Sequence, residues 1–355
     1  MSKKISPQDV LNALRTVKDP DLQRDIVSLG FVKDLEVGDN RVAFTIQLTT
    51  PACPVKDMLS TQAREAVQAL GVANVDVRLT SQVPSAHATK ASLIPQVKNT
   101  IAVASGKGGV GKSTVAANLA VALKRSGAKV GLMDTDVYGP SVPTLMGGNN
   151  EPRVVEGKIE PPVEFGIKIM SMAYFLPKDE AVIWRGPMLH KTMQQFLGDV
   201  RWGELDYLVM DLPPGTGDIQ LSLSQTIPLT GAVIVSTPQD LALSVASKAI
   251  IMFQKLQVPI VGIVENMSYY ICPKCGHREE IFGHGGARQA ANKLGLPFLG
   301  EIPLDLSIRL TSDSGKPVAL DDSTPHAKIF QEVAGNLAAQ VSIVNMQQPQ
   351  EISIE

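Results

Sequence analysis

Gly106-Lys107-Gly108-Gly109-Val110-Gly111-Lys112-Ser113 fits the spacing G-x-x-x-x-G-K-[ST]. It stands between an apolar run rich in β-branched residues, Ile101 to Ala104, and a helix-periodic segment, Thr114 to Arg125. Strand, glycine loop and helix in that order form the setting in which backbone N–H groups curl around phosphate oxygens and the helix N-terminus adds partial positive charge. In such a loop Lys112 reaches the β and γ phosphates of a nucleotide and the Ser113 hydroxyl is offered to Mg2+. Lys107 is an additional cation that an ordinary phosphate loop does not need.

Outward from this loop, Val130 to Met133, Tyr207 to Met210, Ala232 to Val235 and Ile260 to Val264 are further short Val- and Ile-rich runs. Helical segments such as Leu241 to Leu256 separate them, which predicts an α/β domain over 99–345 with a mostly parallel sheet covered by helices on both faces. Residues 1–80 read as a small α+β domain in the order helix, strand, strand, helix, strand. Its first helix carries Val10, Leu11, Leu14 and Val17 on one face, and its second strand alternates through Val42, Phe44, Ile46 and Leu48. Gly38-Asp39-Asn40 supplies a hairpin turn, and the second helix spans roughly Val55 to Leu70. Residues 81–98 lack periodicity and read as a linker, and 346–355 as a polar, disordered tail.

Composition agrees with a soluble α/β chain of two domains. The 355 residues are 44% hydrophobic and 19% charged, with 29 Gly and 24 Pro, which excludes collagen-like and disordered classes. Lys and Arg total 33 against 35 Asp and Glu, so the net charge of -2 gives no general attraction to nucleic acid or anionic lipid. Polar residues interrupt the uncharged stretch Ile219 to Gln239, so it fails as a membrane span. No apolar segment follows Lys3 and Lys4, and a cytoplasmic protein is expected.

Nucleotide chemistry needs a carboxylate for the metal and a group that positions water. Asp211 follows the Tyr207 to Met210 run, and the stiff turn Pro213-Pro214-Gly215 is placed to bring a backbone N–H near the γ phosphate. Asp134 and Asp136 close the Val130 to Met133 run, where either is placed to orient the attacking water.

The three cysteines are too few for a disulfide framework. Cys272-Pro273-Lys274-Cys275 supplies two thiolates, half of a four-ligand shell. Two chains meeting at a two-fold axis complete an iron-sulfur site, His277 and His284 complete a zinc site within one chain, and no metal leaves a redox dithiol. Cys53 precedes Pro54, a residue suited to the first helical position, so the helix dipole is expected to favour its thiolate. The alternative is a small buried residue.

These residues resemble the Mrp (ApbC) iron-sulfur cluster carrier ATPases, a deviant Walker-A branch of the P-loop NTPases that also holds the nitrogenase iron protein and the Min and ParA ATPases. The resemblance rests on Lys107 to Thr114, Asp134-Thr135-Asp136-Val137-Tyr138-Gly139-Pro140-Ser141, Asp211 to Asp218, and Glu265-Asn266-Met267-Ser268 before the cysteine pair. The N-terminal unit resembles the iron-sulfur assembly domain of many bacterial members, through Asp19-Pro20, Asp25 to Gly30 and the Cys53 segment.

The resemblance implies an ATPase whose Lys107 reaches across a homodimer to the partner's nucleotide and whose Asp136 positions the hydrolytic water. Asn266 and the loop around Pro303 would contact adenine. Cys272 and Cys275 would bind a 4Fe-4S cluster shared by two subunits and passed to apoproteins, with assembly proteins as donors. Where relatives carry an acidic residue this chain has Val245, so nucleotide coupling is expected to differ. Min- or ParA-type positioning and an electron-transferring reductase are the competing readings. The acidic tail Gln347 to Glu355, without Lys or Arg, weighs against the first, and the assembly-type domain against the second.

Overall fold

The computed structural model describes residues 5–38, 40–86, 93–148, 150–175, 186–215 and 217–347. It divides into two compact units, one of Met1–Pro84 with Ala338–Pro349, the other of Ser85–Leu337 with Gln350–Glu355. The last residues of the final helix, from Ala338, group with the first unit.

The first unit contains α1 (Pro7–Leu14), a short β1–β2 pair (Lys18–Asp19 and Arg24–Asp25), β3 (Val32–Val37), β4 (Arg41–Leu48), α2 (Lys56–Gln68) and β5 (Asn74–Ser81). Ser6 and Asp9 form a reciprocal capping box at the start of α1, which satisfies two of its unpaired N–H donors. β4 is the central strand, antiparallel to β3 and parallel to β5. Its Val42, Phe44 and Ile46 pack with Val10 and Leu14 of α1 and Leu59, Ala63 and Val67 of α2. Alternation in the strand and helical spacing in both helices converge on this one core.

The second unit begins with β6 (Val97–Ala104), α3 (Lys112–Arg125), β7 (Val130–Asp134) and α4 (Val142–Leu145). A hairpin, β8 (Arg153–Val155) and β9 (Lys158–Glu160), leads to β10 (Val163–Glu164), β11 (Ile167–Ser171) and α5 (Gly186–Gly198). Then come β12 (Leu205–Asp211), α6 (Asp218–Thr226), β13 (Gly231–Ser236), α7 (Asp240–Lys255) and β14 (Ile260–Asn266). A second hairpin, β15 (Tyr270–Ile271) and β16 (Arg278–Glu279), precedes α8 (Gly286–Leu294), β17 (Phe298–Ile302), α9 (Leu306–Asp313) and α10 (Pro325–Gln347).

Eight strands form one sheet in the order β10-β11-β7-β12-β6-β13-β14-β17. Every pairing is parallel except the β10 edge. Both faces are covered. Ala102, Ala104, Leu208, Met210, Ala232 and Ile234 cluster with side chains of α5, α7 and α8. Their strand neighbours Ile101, Val103, Val209 and Val233 are buried on the opposite face. There α3 crosses the sheet centre, buried from Val115 through Leu123, as a helix that is apolar all round must be.

The five expected strands are present, with β10, β11 and β17 added to them. β6 starts at Val97, inside the stretch read as linker, and α10 continues to Gln347, past the start of the expected tail. Asp39, residues 87–92, Thr216 and the rest of the tail lie outside the described residues, as do Lys3 and Lys4. Among the described residues no helix is long and apolar enough to cross a membrane.

Gly262 allows β17 to close on β14. A Cβ at this position would lie 2.3 Å from Leu299 Cγ. Gly262→Ala should therefore lower stability by about 1–3 kcal/mol through overpacking. The expected readout is a fall of a few degrees in the unfolding temperature; an unchanged value would show that Leu299 moves aside freely.

Candidate functional site

The carboxyl ends of the parallel strands β6, β7, β12 and β14 meet at one edge of the sheet, the place where open α/β sheets bind ligands. Gly109 and Gly111 adopt positive φ of 80° and 78°, which turns the phosphate loop back so that α3 starts at Lys112. Ser105, Lys107, Gly108, Gly109, Gly111, Lys112, Ser113, Thr114 and Asp136 line a cavity of about 370 Å3, with Ser141, Leu145 and Pro214 on its rim. A second cavity of about 290 Å3 shares Gly111, Thr114 and Leu145 and continues past Asn266, Met267, Pro303 and Leu304. The first is lined by the phosphate-loop glycines with Lys107, Lys112, Ser113 and Asp136, which suits phosphates, and the second is more apolar and more enclosed, which suits a base.

At the floor, the Lys112 ammonium donates to Asp211 Oδ1 at 2.5 Å and lies 4.0 Å from Asp136 Oδ2. All three side chains are buried. Burial pushes the Asp211 carboxyl up, and Lys112 beside it opposes that shift. Asp211 Oδ2 is buried with no hydrogen-bond partner. An orphaned carboxylate oxygen beside Ser113 fits the hard oxygen donors that Mg2+ takes.

Asp134 and Asp136 separate into different roles. Asp134 is completely buried; its Oδ1 accepts from Asp136 N at 3.1 Å, and its Oδ2 from Val142 N at 3.1 Å and Ser171 Oγ at 2.9 Å. Those bonds tie β7, α4 and β11 together. Asp136 spends Oδ1 on the Tyr138 and Gly139 N–H groups, leaving Oδ2 toward Lys112 and the cavity. Ser171 was not legible in the sequence, because a single serine closing a strand carries no motif.

Two of the expected site residues spend hydrogen bonds inside the loop. The Gly215 N–H donates to the Ser105 carbonyl at 2.9 Å instead of facing the phosphate cavity. Asn266 Nδ2 donates to the Val110 carbonyl at 2.8 Å, so Asn266 braces the phosphate loop as well as lining the base cavity with Pro303. A Cβ on Gly111 would lie 2.2 Å from that nitrogen, which is why the position needs glycine. Lys107 Nζ lies 3.4 Å from Gln239 Oε1 of the same chain. Gln239, at the start of α7, was another residue the sequence did not reveal. Val245 is also on α7, but its side chain lies outside the described residues.

The cysteine pair occupies the turn between β15 and β16. Cys272 N donates to the His277 carbonyl and Gly276 N to the Cys272 carbonyl, both at 2.9 Å, with Gly276 at a φ of 71°. This narrow turn leaves Cys275 exposed and Cys272 partly so. The N–H groups of Lys274 and Cys275, and then the Cys275 side chain, pull the Cys272 thiol below its ordinary value. Thiolate is the form that binds metal.

The two histidines that would complete a zinc site within one chain have other partners in this structure. His277 engages Glu279 at 3.2 Å, and His284 engages Arg278 at 2.7 Å and Glu301 at 3.0 Å. Among the described residues, the one cluster of three ligand-type side chains is Glu265, His284 and Glu301, which includes neither cysteine.

Cys53 is also corrected. The helix starts at Lys56 with Val55 as its cap, so Cys53 stands two residues before the cap, where the Val55 N–H lowers its thiol less than burial raises it. Burial pushes its thiol up to about 11. It packs against the core of the first unit, as the alternative of a small buried residue anticipated.

Residues 96–338 match the family described as ParA, NUBPL iron-transfer P-loop NTPase, and residues 7–78 match a family described as iron-sulfur cluster assembly protein. An iron-sulfur cluster carrier protein from Deinococcus radiodurans is 48% identical, over 94% of this chain and 95% of its own. Another from Synechocystis is 44% identical, over 94% of this chain and 97% of its own. Among solved structures, a nucleotide-binding protein in complex with ADP from Archaeoglobus fulgidus is 43% identical, with a TM-score of 0.58 over 65% of this chain and 90% of its own.

Burial, and then the Asp211 carboxylate, push Asp134 up to about 7 from 3.8. The folded protein then keeps a proton that the unfolded chain releases. Asp134 therefore favours the folded state below about pH 4 and loses that contribution as the pH rises to about 7. Asp134→Asn should remove this slope. Over that range the denaturant midpoint of the nucleotide-free wild type should fall relative to the variant, and parallel curves would refute the assignment.

Proposed function

Because the chain belongs to the NUBPL iron-transfer P-loop NTPase family, we propose that it is an iron-sulfur cluster carrier: a homodimer that holds a labile cluster between two cysteine pairs and passes it to apoproteins under the control of ATP. The observation that carries this reading is the exposed Cys272–Cys275 turn, which has two thiols and no further ligand from the described residues of its own chain. A second copy supplies two more thiolates and closes a four-thiolate shell suited to a 4Fe-4S cluster. The cluster is cargo, so ligands held in a short exposed turn suit release as well as capture. Assembly proteins would load it.

ATP would lie with its phosphates over Gly106 to Ser113 and its base between Asn266 and Pro303. Thr114 lines both cavities and sits where the two parts of the nucleotide meet. Lys112 would exchange part of its contact with Asp211 for phosphate oxygens. Ser113 and Asp211 would hold Mg2+, which supplies charge neutralisation at the phosphates. Asp136, its loop fixed by Asp134, presents Oδ2 toward the γ phosphate position and holds the attacking water there. Asn266 has its amide nitrogen committed to Val110, so toward the base it would offer its oxygen as an acceptor, which favours an exocyclic amino group, as in adenine. Lys107 would leave Gln239 to meet the partner's nucleotide, which makes hydrolysis depend on the dimer.

Anaerobic reconstitution tests the cargo. About two irons and two sulfides per chain in a dimer, absent from Cys272→Ser, are expected for a shared 4Fe-4S cluster. One zinc per chain in a monomer would overturn the reading. For the ATPase, Asp136→Asn should lower kcat about 100-fold with KM little changed, as loss of a water-positioning base does. An unchanged kcat would remove Asp136 from that role.

A further inference from the structure

Glu265 and Asn266 are consecutive residues at the end of β14, and both are buried. Consecutive strand side chains point to opposite faces, so the pair reaches in two directions. Asn266 reaches the phosphate loop, with Nδ2 on the Val110 carbonyl and packed against Gly111. Glu265 reaches the segment that carries the cysteines. Its Oε1 accepts from Ser268 Oγ at 2.6 Å and Gly285 N at 3.0 Å, and its Oε2 from Ala287 N at 2.7 Å. Ser268 begins that segment, and Gly285 with Ala287 ends it. A single carboxylate therefore closes both ends of the excursion that holds Cys272 and Cys275.

Further ties run from the excursion to β17 and the loop after it. Leu304 N donates to the Tyr269 carbonyl at 2.7 Å, and Ser268 N to the Ile302 carbonyl at 2.9 Å. The Arg278 guanidinium lies 4.1 Å over the Tyr269 ring. Glu265, His284 and Glu301 come close enough together to hold a cation. Their surroundings argue for a hydrogen-bonded joint instead: N–H and O–H donors fill Glu265, while Arg278 and Arg288 lie against Glu301.

We propose that Glu265 is a positioning residue that couples nucleotide occupancy at Val110, Gly111 and Asn266 to the conformation of the cysteine turn. Gly111 walls both the phosphate and the base cavity, so a nucleotide that adjusts the loop there displaces Asn266. The shared backbone carries that displacement to Glu265, and three hydrogen bonds carry it to both ends of the turn. The inference rests on the carrier reading for its purpose, but its geometry stands without a bound cluster.

The test reads the thiols of the full-length, cluster-free chain. Iodoacetamide labelling of Cys272 and Cys275, followed site by site by peptide mass spectrometry, is compared with and without Mg2+ and a non-hydrolysable ATP analogue. In wild type the analogue should change the labelling rate about fivefold, the equivalent of ~1 kcal/mol of coupling. In Glu265→Gln the ratio should fall to about one while analogue affinity stays within about threefold of wild type. A wild-type ratio of one, or the full ratio in Glu265→Gln, overturns the inference. If Glu265→Gln does not fold, Ser268→Ala, which removes a single donor, should give an intermediate ratio, and an undiminished ratio there overturns it equally. The carrier reading fails separately: a normal thiol response in a wild type that retains no iron after reconstitution would remove the cargo and leave the joint standing.

Discussion

The buried contact between Lys112 and Asp211 is the constraint on which the rest of the nucleotide edge depends. It joins the first residue of the helix after the phosphate loop to the last residue of a neighbouring strand, out of water, at 2.5 Å. A buried ammonium without a partner is expensive, so the loop must close onto the strand end. The adjacent carboxylates follow from it: Asp136 shares the same lysine, and Asp134, which has no cation of its own, is held by three hydrogen-bond donors. The unpartnered Asp211 oxygen leaves the edge with unused acceptor capacity, which suits a site built to take a metal and a polyphosphate.

The cysteine turn obeys a different physics. It lies on a two-stranded hairpin outside the large sheet, with little apolar burial of its own, since Ile271 and Ile281 beside it are largely exposed. A hairpin of that size is not stable alone. Its order comes from Glu265 at its base, from the stacking of Arg278 on Tyr269, and from the ties to Glu301. Polar, directional restraints of this kind fix a position without burying it, which keeps the thiols accessible to a partner while holding them to the strand that also braces the phosphate loop.

Much of this was legible in the chain. The glycine spacing around Lys112, the acids at Asp136 and Asp211 and the apolar runs before them placed the nucleotide edge, because each is a local pattern with a local cause. The edge strand β10 and the strands β11 and β17 were not legible: β10 has only two residues, and Gly166, Lys168 and Gly300 interrupt the apolar patterns around the others. For Cys53 the sequence left two readings open for a similar reason. Pro54 marks a helix start in general, but here the chain makes one more turn before α2, and the half-buried thiol is raised by burial more than the Val55 N–H lowers it.

By itself the sequence determined the α/β class, the phosphate loop, the carboxylates at the strand ends and the presence of a two-thiol site, since spacing along the chain is enough to encode a strand, a glycine turn or a C-x-x-C. Tertiary structure alone decided which partners those residues have. It gave Asp134 to the strand ends and left Asp136 facing the cavity, turned His277 and His284 away from the cysteines, and set Glu265 across both ends of their loop. These outcomes depend on which strand ends lie side by side in the sheet, and that order, β7-β12-β6-β13-β14, does not follow the order of the chain.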